Sequence, residues 1–293
     1  MSSVKTAEYD EEKNRVEGGT LYLVATPIGN LSDLSPRAIK VLSEVDFIAA
    51  EDTRNTAKLL GVFGIHRPMV SYFEHNKRER GEVIADRLAA GEACALVTDA
   101  GTPAISDPGE DLVALCAERG IPVTSVPGPV ASITALTLSG LPTGRFTFEG
   151  FLSVNKTERR ERLDELKTER RTMLFHEAPH KLRATLADLA GAFGADRRVA
   201  ICRELTKRNE EILRLTLGAA VSYYADVDPR GEYVLVVEGA PKDAGAASAF
   251  WAAWDIPAHV AYYMSQGFSK MDAIKKAAKD RGVPKNVVYQ EVL

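Results

Sequence analysis

The segment ALVTDAGTPAISDPGEDL, residues 95–112, decides the fold. Ala95, Leu96 and Val97 form an apolar run that reads as a buried strand. Asp99, Gly101, Pro103, Asp107, Pro108 and Gly109 cannot continue it, because glycine relaxes the backbone and proline removes donors. A helix start follows at Asp111. Strand, long glycine/proline loop and helix make one unit of an open α/β sheet, which binds ligands beyond the carboxyl ends of its strands. Asp99 would project there as a fixed acceptor or anion, suited to a hydroxyl, an amine or a cation. A tight βα connection without a ligand carries the same punctuation.

Outward from this segment, strands and helices alternate. LYLVAT is a strand; Ser35-Pro36 supplies a cap and a first-turn proline for a helix containing Ile39, Val41, Leu42 and Val45. VDFIAAE, a helix over 53–63, PMVSYF, a helix around 82–88, ACALVT, a helix over 111–119 and PVTSV follow. This succession predicts a mostly parallel sheet with helices on both faces to about residue 140. The character changes after RFTFEGFL. TMLFHEAP, RVAICREL, EEILRLTL and GEYVLVVEG read as further strands, with helices over 181–189 and around 219–224. The expected divisions are a loose tail at 1–18, α/β domains at 19–145 and 146–240, and a linker (PKDAGAASAF) with a helical module at 241–293.

At 293 residues the chain is long enough for two domains with full cores. Its 45% hydrophobic and 27% charged residues are those of an ordinary globular protein, and a net charge of −4 excludes a uniformly basic coat while leaving local patches open. Cys94, Cys116 and Cys202 are odd in number and unpaired in spacing, so they read as small buried residues of a reducing compartment and not as a metal site or disulfide framework. No apolar run reaches membrane-span length and no signal peptide is evident, which predicts a cytoplasmic protein with no membrane partner.

Two further loops share the setting of the first. ATPIGNL (25–31) follows the first strand but lacks the GxGxxG of a dinucleotide site, and EDTR (51–54) lies too early to supply that site's acid. NAD-dependent enzymes and ordinary Rossmann methyltransferases are therefore disfavoured. VPGPVASITAL (126–136) brings glycine and prolines, then a small-residue helix that either admits a ligand close to the backbone or packs tightly on a sheet. TPIGN, TDAGTP and PGPVAS, in that order, are far more specific together than singly. With AEDTRNTAKLL, YFEHN, FEGFL, FHEAPHKL, ICRELTKRNEE and GEYVLVVEG, they make the chain resemble the tetrapyrrole methylase superfamily. The branch it most resembles is the small-subunit ribosomal RNA ribose methyltransferase I family.

The resemblance implies an α/β fold of two domains with S-adenosyl-L-methionine in the cleft between them, plus a small C-terminal helical module. It implies 2′-O-methylation of a decoding-centre cytidine of 16S rRNA in the small ribosomal subunit, and a homodimer. Carried over by position, the cofactor contacts are Pro27, then Asp99, Gly101 and Thr102, then Ala131, Ser132 and Ile133, with Phe175 and His176 closing the adenine side. Candidates near the strand ends for handling the ribose hydroxyl are Glu51, Asp52, His75, Glu177 and Glu204. Of these, His75, Asp52 and Glu177 are the catalytic expectation, His75 for its intrinsic pKa range. Arg54, paired with Asp52, would meet a phosphate. No metal is expected.

Residues 155–171 carry seven bases against five acids. As a helix they would set Lys156, Arg160, Lys167 and Arg171 along one stripe, with Leu163 and Leu166 inward. That suits a phosphate backbone; an exposed salt-bridged helix has the same sequence. Near the C-terminus, Ser269-x-x-Asp272 is a capping pattern, followed by Met271, Ile274 and Ala278 on one face, a break at Gly282-Val283-Pro284, and Val287 and Val288 packing back. Two short helices with six bases against three acids resemble a helix-turn-helix appendage, which the family carries; a packing or dimerisation hairpin shares the pattern. The RNA-contact expectation is Arg54, Arg159, Arg160, Lys275 and Lys285. Two rival readings are another methylase of the superfamily, acting on a corrin carbon or a diphthamide precursor, and a non-catalytic ribosome-assembly factor.

Overall fold

The computed structural model describes residues 15–241, 251 and 253–292. Its first sheet holds β1 (Leu21–Val24), β2 (Phe47–Ala50), β3 (Met69–Ser71), β4 (Cys94–Val97) and β5 (Val123–Val126). The strands are parallel, in the order β3-β2-β4-β1-β5. β2 and β4 are buried along their whole length. Their continuous apolar runs, FIAA and CALV, are what a parallel sheet covered on both faces requires. Around the sheet run α1 (Pro36–Glu44), α2 (Thr53–Val62), α3 (Lys77–Ala89) and α4 (Glu110–Glu118). One face packs Val24, Leu42 and Ile48, the other Phe47, Ile84, Leu96 and Leu112. Ser35 caps α1, its hydroxyl accepting the Ala38 N–H beside Pro36.

α5 (Ala131–Ser139) follows β5 and leaves the first sheet for the second. Its Ala135 and Leu136 pack with Leu174, Ala200, Val234 and Val236. Small side chains on α5 therefore serve close helix-to-sheet packing. The second sheet contains β6 (Phe146–Gly150), β7 (Thr172–Glu177), β8 (Arg198–Arg203), β9 (Glu211–Thr216) and β10 (Tyr233–Val237), ordered β6-β7-β10-β8-β9. β6 and β7 are parallel, while the other neighbours are antiparallel. Connecting helices are α6 (Lys156–Leu166), α7 (Leu182–Phe193) and α8 (Leu217–Asp226).

Both sheets belong to one compact unit, comprising residues up to 156 and 172–238. The second unit takes 157–171 and the chain from 239 onward, so most of α6 groups with the C-terminal helices, a division not foreseen from composition. Residues 1–14 of the expected tail and 242–250 of the expected linker lie outside the described residues. The end of that tail is held: Val16 packs on the first core and the Glu17 N–H donates to the Tyr22 hydroxyl at 2.8 Å.

α9 (Ile256–Ser265), α10 (Lys270–Arg281) and α11 (Lys285–Glu291) build the C-terminal core from Val260, Ala273, Ile274, Ala277, Ala278 and Val288. The Ser269 hydroxyl caps α10 through the Asp272 N–H, and Gly282 at φ +63° ends it. The buried stripe differs from the expected one. Ile274, Ala278 and Val288 are buried as expected, but Ala273 and Ala277 share their face while Met271 and Val287 are exposed. α6 also departs from expectation. Leu163 and Leu166 are buried, but the helix stops at Leu166, so Lys167 and Arg171 lie past its end and no four-residue basic stripe forms. Lys167 pairs with Asp164, Arg162 with Glu165 and Arg171 with Glu169. Among the described residues, no helix is long and apolar enough to cross a membrane.

Candidate active site

A cavity of about 580 Å³ opens within the two-sheet unit. Its first wall is Asp99–Thr102 with Ile105, Ser106 and Asp107 after β4, Val130–Ser132 at the start of α5, Ile28 after β1 and Glu51 after β2. The second sheet contributes Phe151, His176–His180, Lys207 and Glu232, among others. The wall thus forms where the parallel strands end, the expected ligand position for this architecture.

Hydrogen bonds join the three glycine/proline loops, two of them through backbone pairing and the third through a threonine hydroxyl. Thr26 and Gly101 exchange both N–H···O bonds at 2.9 and 3.0 Å. The Thr26 hydroxyl donates to Thr98 O at 3.1 Å, and the Thr102 hydroxyl to Pro129 O at 3.1 Å. Gly101 takes φ +87°, and a Cβ there would stand 3.4 Å from Ile28 Cγ2. Ala104 and Ser106 also hold left-handed backbone, at φ +66° and +68°, a strain of about 1–3 kcal/mol each. Gly109, at φ +149°, lets Ala104 close against the loop end.

Acidic groups gather on this wall. Asp99 accepts from Asn55 Nδ2 at 2.9 Å, and its N–H faces Glu51 Oε2 at 3.3 Å. Burial, with the Glu51 and Asp99 charges nearby, pushes the Asp107 carboxyl up to about 6. Opposite, the His176 ring meets Phe148 and Phe151 edge-on at 5.2 and 5.5 Å. Its Nε2 is enclosed with no hydrogen-bond partner, and burial lowers its pKa. Lys207 Nζ bridges Glu204 Oε1 at 2.9 Å and Glu232 Oε2 at 2.8 Å.

Of the expected site residues, the cavity brings together Asp99, Gly101, Thr102, Ala131, Ser132, His176 and Glu177. Pro27 precedes Ile28 but does not line the wall. Phe175 is fully buried, since neighbours on a strand face opposite sides and His176 takes the cavity side. Ile133 is exposed, a helical step of about 100° beyond Ser132. Asp52 lies outside the lining as the N-cap of α2, accepting the Arg54 and Asn55 N–H groups. Arg54's guanidinium binds its carboxylate and holds it down to about 2. His75 lines a separate depression with Asn76, Arg78, Glu79 and Glu82. Glu177 is 4% exposed, with Oε1 accepting the Ala178 N–H and Oε2 the Thr185 hydroxyl.

None of the expected RNA-contact residues is in the cavity lining. Arg54 is exposed yet paired with Asp52. Arg159 and Arg160 are on α6, Lys275 pairs with Asp272 on α10, and Lys285 is exposed at the start of α11. Sequence reasoning did not single out Asp107, His180, Lys207 or Glu232 as site residues. Asp107 had a readable signal, a carboxylate inside the glycine/proline loop; the others come together only through the second sheet.

The family of Tetrapyrrole (Corrin/Porphyrin) Methylases matches residues 20–221. A protein of Halalkalibacterium halodurans named Ribosomal RNA small subunit methyltransferase I is 49% identical, over 94% of this chain and 96% of its own. Its namesakes in Synechocystis sp. and Bacillus subtilis are each 46% identical, covering 93% and 92% of this chain and 96% and 93% of theirs. Among solved structures, uroporphyrin-III-C-methyltransferase from Thermus thermophilus superposes with a TM-score of 0.53 at 17% identity, covering 74% of this chain and 94% of that one. Cobalt precorrin-4 methyltransferase gives 0.53 at 16%, with the same coverage. These two likenesses establish the fold. The extent and level of the sequence identities go further: the chain belongs to the tetrapyrrole methylases and, within them, to the ribosomal RNA small subunit methyltransferase I family.

Proposed function

We propose that this protein transfers a methyl group from S-adenosyl-L-methionine to the ribose 2′-hydroxyl of a decoding-centre cytidine in 16S rRNA. The observation that carries the reading is the cavity, walled by three loops in the order TPIGN, TDAGTP, PGPVAS. The residues fit such a donor. Gly101, Ala131 and Ser132 leave room against the backbone, the volume is of nucleoside-ligand size, and the Glu51 and Asp99 carboxylates suit a ligand carrying ammonium and sulfonium charges. The unpartnered His176 Nε2 offers a polar contact on the far side.

In this reading Asp99 holds the amino-acid or ribose end of the donor, and Gly101, Thr102, Ala131 and Ser132 hold it through backbone groups. His176 closes the adenine side. The donor supplies a methyl group already activated on a sulfonium, so the chain's task is to position the hydroxyl, exclude water and accept a proton. Holding nucleophile and methyl at near-attack distance accounts for several kcal/mol of the barrier, up to about 7–11 kcal/mol in ideal cases. The names of the relatives support rRNA as substrate. Action on the assembled small subunit, a homodimer and a cytoplasmic location rest on the family resemblance, as do RNA contacts through the C-terminal helices.

The test is to incubate the protein and radiolabelled donor with small subunits from a strain lacking the enzyme, then digest the rRNA to nucleosides. Label in 2′-O-methylcytidine is expected. Label in a base-methylated nucleoside, or in protein alone, refutes the assignment.

A further inference from the structure

Methylating a ribose hydroxyl leaves a proton to be removed, and none of the three expected catalytic residues is free to receive it inside the cavity. Asp52 is consumed by its cap and by Arg54, His75 lines another depression, and Glu177 has both oxygens engaged. Of the other two carboxylates considered, Glu204 is held by Lys207 and the Glu232 N–H, and Glu51 lines the cavity but accepts the Asp99 N–H at 3.3 Å.

Asp107 differs from all of them. It lines the cavity, and no hydrogen bond or ion pair to another described residue engages its carboxylate. Left-handed backbone at Ala104 and Ser106 fixes the loop that presents it, and Gly109 closes that loop behind it. Strain of this kind persists where surrounding structure over-determines a functional geometry. We propose that Asp107 is the general base of the reaction, its carboxylate receiving the ribose hydroxyl proton.

This inference rests on the proposed methyl transfer and specifies its chemistry. As the O–H proton passes to a carboxylate oxygen of Asp107, the hydroxyl oxygen forms a bond to the methyl carbon. The carbon–sulfur bond breaks and its electron pair stays on sulfur. Hydroxyl, sulfonium and carboxylate become methyl ether, neutral thioether and carboxylic acid, so charge and atoms balance; Asp107 then releases the proton to solvent.

The groups around Asp107 support this role. Glu51 and Asp99 share its wall, and together with burial they place its carboxyl at about 6. A base of that strength is ionised at neutral pH and stronger than an ordinary carboxylate. Across the cavity stand His176, Glu177, His180, Lys207 and Glu232, of which Lys207 and Glu232 neutralise each other.

The experiment measures kcat and KM on unmethylated small subunits from pH 5 to 8.5, for wild type, Asp107→Asn, Asp107→Glu and His180→Gln. Donor affinity is followed in parallel by calorimetry and folding by circular dichroism. Asp107→Asn is expected to lower kcat about a hundredfold or more, to remove the acid limb of the kcat profile, and to leave the donor Kd within about threefold. Asp107→Glu is expected to regain part of kcat with the acid limb displaced, and His180→Gln to retain the limb. A near-wild-type kcat in Asp107→Asn, an unchanged acid limb, or loss of donor binding overturns the proposal. If Asp107→Asn fails to fold, an absent acid limb in Asp107→Glu, or its transfer to His180, overturns it. Wild type that binds donor but leaves small subunits unlabelled overturns the functional reading itself, and this inference with it.

Discussion

Gly109→Ala places a methyl group where both backbone and packing resist it. At φ +149°, alanine occupies conformational space that glycine alone enters readily, at about 1–3 kcal/mol. Its Cβ would lie 3.0 Å from Ala104 Cβ and Leu96 Cδ2 and 3.1 Å from Ala104 N. Two of these contacts are to loop atoms of Ala104 with no flexible end, and Leu96 is in the buried strand β4. Relief therefore moves the loop, an overpacking cost of about 1–3 kcal/mol. The smaller freedom of alanine in the unfolded chain returns about 0.4–1 kcal/mol. The net loss is about 1–6 kcal/mol, a large part of the roughly 5–15 kcal/mol typical of a folded domain. Gly64→Ala is the matched control, since Gly64 has φ +67° but no neighbour within 4 Å of an added Cβ. It bears only the left-handed backbone cost of about 1–2 kcal/mol, less the same entropy return. Urea unfolding followed by far-ultraviolet circular dichroism measures both at comparable m-values. Gly109→Ala is expected to have the lower midpoint, and only Gly109→Ala to weaken donor binding, because the displaced loop carries Asp99 through Asp107. A Gly109→Ala midpoint equal to or above that of Gly64→Ala would refute the packing argument.

Asp99→Ala removes a carboxylate from the donor wall and is expected to weaken S-adenosyl-L-methionine binding at least tenfold, in line with about 1.5–3 kcal/mol for a charged hydrogen bond; a wild-type Kd by calorimetry contradicts its assigned place. Thr185→Val strips a donor from Glu177, which is 4% exposed, and is expected to cost about 1–3 kcal/mol in thermal or urea unfolding. In the C-terminal unit, burial first and Arg281 second hold the His259 imidazole below its usual pKa. Because the folded pKa is depressed, the unfolded state binds more protons as pH falls through about 6.5, and stability drops there. Trp251 and Trp254, the chain's two tryptophans, report that unit by fluorescence. The expected fall between pH 7.5 and 5.5 should flatten in His259→Gln, and an equal fall in both proteins counts against this account.

Much of the first sheet was legible because its signals are local. Four-residue apolar runs, Ser35-Pro36 and the glycine/proline loops each fix a boundary without help from distant residues. The cavity's first wall followed for the same reason, as Asp99, Gly101, Thr102, Ala131 and Ser132 sit in loops whose strand ends converge. The second wall was harder to read. Phe175 and His176 are adjacent in sequence but face opposite sides of β7, and choosing between them requires knowing which face α5 covers. The Asp52–Arg54 pair was readable, but not that the same carboxylate caps α2, and Glu177 looked like an available acid because sequence does not reveal a threonine hydroxyl one helix later. The division at α6 escaped composition altogether, since Leu163 and Leu166 are too few to announce which unit they join. In the C-terminal helices the apolar period was right at Ile274, Ala278 and Val288, but Met271 and Val287 lie at the margin of that face, where period alone does not decide burial.

The order β3-β2-β4-β1-β5 sets a schedule for synthesis. β1 is made first among the strands, yet it lies between β4 and β5, so its two partners end at Val97 and Val126. At ordinary elongation rates of about 5–20 residues per second, the interval from β1 to the completion of β5 lasts about 5–20 s. LYLV is an apolar strand with both edges open until β4 is complete at Val97, and with one edge open until β5 follows. No early hairpin can shelter it, because every pairing in this sheet is parallel and needs a crossover. The nascent chain's exposure to aggregation is therefore concentrated at its first strand, and ends only when β5 arrives.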